Sequence, residues 1–387
     1  MSKILHIGKY FPPFAGGIEN FMADLMAAQT RLGDTSHALA HDHITPGWHL
    51  WPGFQADQTY PNVYRAPCYG RLLYAPISPH FPFWLSQAIE QLQPDLLHLH
   101  LPNTSAFWAL LLPSARRLPW VIHWHSDVVA DFDKRLGLAY ALYRPFEQAL
   151  LKRSRHIIAT SPPYLEASPA LKPWREKCEV VPLGIDITRL PEPTPEFLSK
   201  ADALWGNTDC RLLSVGRLTY YKGYQVLLQA MANIENARLL VVGEGEQRPI
   251  LERLIKDLHL TERVTLLGYC EDNLLTALMQ SCDCFCLASL ERTEAFGVVL
   301  MEAMRYGRPI VTCQVEGSGM GWVVEADKTG LLVPPNQVPA LAGALQTIVD
   351  RPDLRKMMGD AGRERFDKTF AIEQIAHQTN TLYQQML

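Results

Sequence analysis

The sequence has no apolar run approaching the roughly 18 residues needed to cross a membrane. No charged leader with an apolar stretch precedes its first strand-like segment, residues 3–8. It carries little net charge, -4 over 387 residues, which argues against a nucleic-acid partner. Its 8 cysteines lack paired spacing, as expected of a chain kept in a reducing compartment. The one cluster, Cys282, Cys284 and Cys286, falls on alternate residues and so on one face of a strand. Zinc sites usually leave two or more residues between ligands, so this cluster reads as packing. There is no G-x-G-x-x-G, which excludes the usual dinucleotide fingerprint. The expectation from these absences is a soluble, cytoplasmic protein with no metal and no cofactor.

What is present is a regular alternation of strands and helices. A chain of 387 residues is long for one core and suggests two domains. The first 190 residues are slightly net positive and hold 11 of the 13 histidines, whereas the remainder is net negative. Apolar runs at 3–8, 36–41, 63–66, 96–100, 120–124, 157–160 and 179–182 read as strands, with helices at 18–32 and 104–117. Residues 66–84 are rich in proline and aromatics, too ordered in character for a linker and too rich in proline for a strand, and suit either a packed surface loop or the lining of a groove. Prolines at 191, 193 and 195 make 190–200 a linker candidate. Strands near 211–215, 238–242, 264–267, 284–287 and 309–312 follow, with helices between them. Such alternation means a parallel, doubly wound sheet.

Several stretches carry chemistry. Glu294 and Glu302 stand eight positions apart, separated by the turn Ala295-Phe296-Gly297 and the helix-like run that starts at Val298. The first turn of a helix has free N–H groups and partial positive charge, which suit a phosphate. Gly297 would let a ligand approach the backbone closely. An acid just before that turn would repel phosphate, so Glu294 is better suited to accept hydrogen bonds from hydroxyls. Phosphate beside hydroxyls suggests a nucleotide sugar. At the end of strand 211–215, Arg217 can fork onto phosphate oxygens and Lys222 adds a point charge. The Pro/Gly loop ending in Gly16-Gly17 lies between a strand and a helix, again a phosphate-binding layout. Gly243, Glu244 and Tyr269 sit at two further strand ends, where open parallel sheets bind ligands. His125 lies at such an end too, and we expect His123 and His125 to point to opposite faces, with His123 turned into the sheet. Asp131-Phe132-Asp133 reads as helix first-turn carboxylates rather than a metal motif. The basic, leucine-rich residues 134–155 could dock on an anionic membrane surface, or form an ordinary helix with a solvated basic face.

The string E-A-F-G-V-V-L-M-E-A-M closely resembles the E-x(7)-E signature of the retaining nucleotide-sugar glycosyltransferases of family 4. The Val215-Gly216-Arg217-Leu218 and Lys222-Gly223 pieces, the Gly16-Gly17 loop and Pro182-Leu-Gly-Ile-Asp186 are similar to that family as well. The resemblance implies a GT-B fold, an α/β arrangement of two doubly wound Rossmann-like domains facing a cleft. It implies an acceptor-side domain at 1–188, a linker at 189–200, a donor-side domain at 201–366, and a helix at 367–387 crossing back to the first domain. It makes Arg217 and Lys222 a diphosphate clamp, Gly16-Gly17 a donor-side loop, and the Gly243-Glu244 loop and Tyr269 neighbours of the base. Glu294 would hold sugar hydroxyls beside Ala295, Phe296, Gly297 and Val298, Glu302 the ribose, and His125 the donor sugar. The implied reaction moves a hexose from a GDP- or UDP-linked donor to a hydroxyl of a glycan or lipid-linked acceptor, with no metal and with retained configuration. The His123-Trp124-His125-Ser126-Asp127-Val128 stretch is similar to GDP-mannose-using polysaccharide transferases, which favours mannose and a role in cell-surface polysaccharide or lipopolysaccharide synthesis. Peripheral contact with the inner face of the plasma membrane is a further expectation. Alternatives are a non-catalytic nucleotide-sugar or glycan binder and another GT-B enzyme, such as a nucleotide-sugar epimerase.

Overall fold

Seven short apolar runs in the first half pair side by side as a parallel sheet, as a chain with helical crossovers must. The computed structural model describes residues 1–14, 16–44, 53–72, 75–128 and 134–387. They form two units, one of Met1–Gly184 with Ile372–Leu387 and the other of Ile185–Ala371.

In the first unit the strands of the main sheet are β1 (Lys3–Ile7), β2 (Thr35–Ile44), β3 (Val63–Cys68), β4 (Leu96–Leu101), β5 (Trp120–Trp124), β6 (His156–Ala159) and β7 (Cys178–Val180). Their order across the sheet is β3-β2-β1-β4-β5-β6-β7, with every pair parallel. All residues of β4 and β5 are buried, as expected for central strands covered on both faces. Helix α1 (Gly17–Arg31) lays Met22 and Met26 against Phe11, Ala38, Ala40 and Val63. The last helix, Ile372–Gln384, belongs to this unit and packs on α1. The helix expected over 104–117 is instead three short pieces, because Pro113 has no N–H to continue the ladder and opens a new turn.

In the second unit the strands are β8 (Cys210–Val215), β9 (Ala237–Val242), β10 (Val264–Gly268), β11 (Cys284–Leu287), β12 (Ile310–Cys313) and β13 (Gly330–Val333), in the order β10-β9-β8-β11-β12-β13. Here too every pair is parallel. In both sheets the order reverses beside the first strand, between β1 and β4 and between β8 and β11. Those are the switch points outside which open sheets bind ligands. β13 escaped the sequence reading because Gly330 and a four-residue length give a weak strand signal. The stretch expected as a linker already belongs to the second unit. It holds a 3-10 turn, Ile187–Arg189, and then the helix Pro195–Trp205, in which Pro195 occupies the first turn where its missing N–H costs nothing.

One buried acid bears on stability. Glu147, in the helix Lys134–Arg153, is fully buried; it accepts a 3.2 Å hydrogen bond from the Tyr140 hydroxyl at Oε2 and has no partner at Oε1 among the described residues. Burial raises its pKa from 4.5 to about 7. The folded chain therefore holds this proton more tightly than the unfolded one, and stability falls as pH rises from about 4.5 through 7. Glu147→Gln should leave stability unchanged at pH 4 and raise it by about 2 to 3 kcal/mol near pH 7 and above. Denaturant melts at the two pH values check this.

Candidate active site

The loops after β8, β9 and β11 interlock through glycines. A Cβ at Gly243 would collide with the Gly216 carbonyl, and one at Gly223 with the Ala288 carbonyl. Gly223 has φ 68° and Gly243 has φ 138°, conformations that favour glycine. Backbone bonds from Leu218 to Glu244 (2.9 Å) and from Leu290 to Tyr221 (2.7 Å) fasten the three loops to one another.

This backbone fixes Lys222. Its stem lies beside Gly216, where a Cβ would stand 3.2 Å from Cε and Nζ. Its ammonium is 2.5 Å from Glu294 Oε2, and both side chains are largely buried, at 10% and 13% exposure. The sequence suggests two exposed cations, but only Arg217 is exposed, with no ion-pair partner among the described residues. Lys222 is drawn in because the glycines leave room for its stem and the carboxylate neutralises its head.

Glu294 is held from behind as well. Ser318 donates its hydroxyl proton to the Glu294 carbonyl at 2.5 Å, and the Gly319 N–H donates to the Ala295 carbonyl at 2.7 Å. Gly297 then caps helix α2 (Val298–Arg305) with φ 82°. A Cβ there would meet Leu300 and Met320. Ala295 and Phe296 are buried, Phe296 near Trp322 and Phe370. Glu302 is half-buried on α2. Tyr269 is 79% exposed, and Glu244 pairs with Arg248 at 3.3 Å. Lys222, Glu294 and the α2 N-terminus thus converge after β8 and β11, the strands flanking the switch point.

In the first unit Gly16 is the N-cap of α1, with Gly17 as the first helical residue. The Glu19 carboxylate fills the space beside Gly16 that a Cβ would need. Asp131-Phe132-Asp133 lies outside the described residues. His125 is 3% exposed and follows β5 directly. Its ring stacks on that of His123 at 4.4 Å and 8°, which corrects the expectation of opposite faces. Residues two apart in extended chain share a face. The same face carries His98 and His100 of β4 and His6 of β1, in register across the sheet, to give a row of five buried rings. Alternate histidines at 98/100 and 123/125 were the sequence signal for this row, visible once the two strands are known to be neighbours. Burial lowers every one of these pKa values, His6 to about 4 and His125 to about 3, so the rings are neutral. Two trios, His6/His98/His100 and His100/His123/His125, have nitrogens within 4.8 Å of one another. His6 and His100 already use both nitrogens in hydrogen bonds, so neither trio offers three free lone pairs.

Comparison with known proteins agrees with this layout. Residues 198–365 match the family model "Glycosyl transferases group 1", and residues 16–184 match "Glycosyl transferase 4-like domain". The chain is 29% identical to O-antigen chain mannosyltransferase C of Escherichia coli, over 100% of this chain and 99% of that protein. It is 28% identical to D-rhamnosyltransferase WbpZ of Pseudomonas aeruginosa, over 95% and 92% of the two chains. The structure of sucrose-phosphate synthase from Thermosynechococcus elongatus is similar with a TM-score of 0.80 at 25% identity, over 100% of this chain and 99% of that one. The two sheets have the Rossmann-like construction of the GT-B class, the two domain models between them take in most of the chain, and the chain belongs to the group 1 glycosyltransferases with a glycosyl transferase 4-like N-terminal domain.

Proposed function

We propose that the protein is a retaining hexosyltransferase that moves a hexose, mannose in the favoured case, from a GDP- or UDP-linked donor to a hydroxyl of a glycan or lipid-linked acceptor. The observation that carries this reading is the Lys222–Glu294 pair beside the α2 N-terminus. It sets a cation for a diphosphate against an acid for hydroxyls, the two halves of a nucleotide sugar. The mannosyl- and rhamnosyltransferase relatives support a hexose donor and a place in cell-surface polysaccharide synthesis.

In the proposed reaction the bond from the anomeric carbon to the phosphate oxygen breaks, and its electron pair leaves with the diphosphate. The acceptor oxygen bonds to the same face of that carbon and gives its proton to the departing phosphate oxygen. Arg217, Lys222 and the α2 N–H groups stabilise the charge that builds on the diphosphate. Glu294 accepts hydrogen bonds from sugar hydroxyls, Glu302 holds the ribose, and His125 contacts the donor sugar. Arg217 and Lys222 supply the positive charge, so the reaction needs no divalent metal.

The protein is also proposed to dock on an anionic membrane surface. Leu138 and Leu142 are each 69% exposed and Phe146 is 49% exposed. They recur every four residues on the helix Lys134–Arg153, which also bears the exposed Arg144 and Lys152. No helix among the described residues is long and apolar enough to cross a membrane.

The test of function is nucleoside diphosphate release from a panel of nucleotide sugars, with and without a glycan acceptor, in EDTA. Acceptor-dependent release from one donor is expected. Binding without turnover would indicate a binder, sugar isomerisation an epimerase, and activity restored only by Mg²⁺ or Mn²⁺ a metal-dependent enzyme. Variants test the pair. Lys222→Ala should lower the rate at saturating donor by roughly a hundredfold. It should also lower stability by about 1 to 3 kcal/mol, because Glu294 is left buried without its cation. Glu294→Ala should reduce turnover by a similar factor while binding of free nucleoside diphosphate holds or tightens, since Lys222 is released. Rates unchanged at saturation would refute both roles. For docking, vesicles with anionic lipid should bind the protein in a salt-sensitive way, and replacing Leu138, Leu142 and Phe146 with Ser should abolish binding.

A further inference from the structure

A continuous hydrogen-bonded chain runs through the first unit and ends on His125. The His125 Nε2 is 2.9 Å from His100 Nδ1, and His100 Nε2 is 3.0 Å from His6 Nδ1. His6 Nε2 is in turn 2.9 Å from Gln29 Oε1. Gln29 Oε1 also faces the Ser36 hydroxyl at 2.8 Å, and Gln29 Nε2 faces the Tyr383 hydroxyl at 3.1 Å. Tyr383 is 2.5 Å from His98 Nδ1. Each of these residues is buried.

A neutral imidazole has one N–H, so each contact in such a chain dictates the next. An amide oxygen only accepts, so His6 must carry its proton on Nε2. Its Nδ1 is then bare and must be met by an N–H from His100 Nε2. His100 Nδ1 is bare in consequence, and His125 must carry its proton on Nε2. The remaining groups match this direction. Ser36 donates to the Gln29 oxygen, the Gln29 amide donates to the Tyr383 oxygen, and Tyr383 donates its own proton to His98 Nδ1. His125 Nδ1, which has no partner among the described residues, ends the chain as a free acceptor.

We propose that Gln29 is a positioning residue that fixes His125 in its Nε2–H tautomer through His6 and His100. On the transferase reading above, on which this consequence rests, the bare Nδ1 of His125 accepts a hydrogen bond from a hydroxyl of the sugar. It would be unsuited to a phosphate or carbonyl oxygen, which offers no proton. The chain thereby selects for a hydroxyl-bearing ligand group from about three residues away in the network, with Gln29 itself touching no substrate.

The test is nitrogen NMR of the full chain labelled with ¹⁵N-histidine, in which long-range N–H correlations distinguish the two neutral tautomers; His125→Asn identifies the His125 signals. The wild type should show His125, His100 and His6 as Nε2–H. Gln29→Met removes the accepting oxygen and should leave His125 in a mixture of tautomers. Gln29→Glu keeps an acceptor and should retain Nε2–H. Should Gln29→Met not fold, Tyr383→Phe, which frees the amide to turn over, should give the same mixture. A wild-type His125 in the Nδ1–H form would overturn the proposal, as would an unchanged tautomer in folded Gln29→Met, or ring signals that a chelator shifts because a metal holds the nitrogens. In turnover, Gln29→Met should lower the saturated rate about tenfold with nucleoside diphosphate binding unchanged, and Gln29→Glu should recover it. The spectra need no turnover, so a protein that transferred no sugar would still pass or fail them.

Discussion

The second unit depends on holding a lysine and a glutamate together in a place where neither is well hydrated. Taking either charge out of water alone costs several kcal/mol, and only the opposite charge at 2.5 Å makes the burial tolerable. Everything around the pair serves that proximity. Gly216 leaves room for the lysine stem, Gly223 lets the loop pass against Ala288, and Ser318 with Gly319 holds the glutamate backbone from the far side. On the proposed transferase reading, the pair also sets a choice for an incoming diphosphate. A phosphate that draws Lys222 away leaves Glu294 seeking donors, and sugar hydroxyls are donors. On that reading, binding of the two halves of a nucleotide sugar is coupled by this exchange of partners.

The first unit solves a related problem without charge. Five imidazoles in one buried row would be costly if protonated, and burial keeps them neutral. Neutral rings still have polar nitrogens to satisfy. His125, His100 and His6 do so by passing donor and acceptor roles from ring to ring until a glutamine side chain ends the sequence, and His98 bonds the Tyr383 hydroxyl, whereas neither nitrogen of His123 has a partner among the described residues. Hydrogen-bonded networks of this kind rigidify a core only when each member has its partner, which gives Gln29 an importance out of proportion to its size.

Much of this is readable in the sequence. Strand positions followed from apolar runs bounded by Gly, Pro and Asp. The placement of Arg217, Glu294 and Gly297 at strand ends and helix starts was legible too, from charged and permissive residues next to apolar runs. What could not be read was pairing across long separations. Lys222 looked like a solvated loop residue because its partner lies in a loop after a different strand. His123 and His125 were misassigned by a simple error of period, and the row they belong to requires knowing that β1, β4 and β5 are neighbours. The domain boundary was blurred by prolines that open a helix as readily as they mark a linker. The burial of Phe296 and Ala295 was not legible either, because it depends on Trp322 and Phe370 far along the chain.

The hydrogen bond from Gln29 to Tyr383 joins residues 354 positions apart. The first unit is thus closed by residues that follow the whole of the second unit in the sequence. On a ribosome that adds about 5 to 20 residues per second, the amino-terminal sheet waits tens of seconds for the helix that completes it. Until then α1 exposes the surface that this helix will cover, and the histidine row lacks its terminal hydroxyl. Completion of the first unit therefore requires that the second has already been synthesised. A chain broken off before Ile372 leaves the first unit open along α1, which is the kind of unfinished surface that chaperones and proteases recognise.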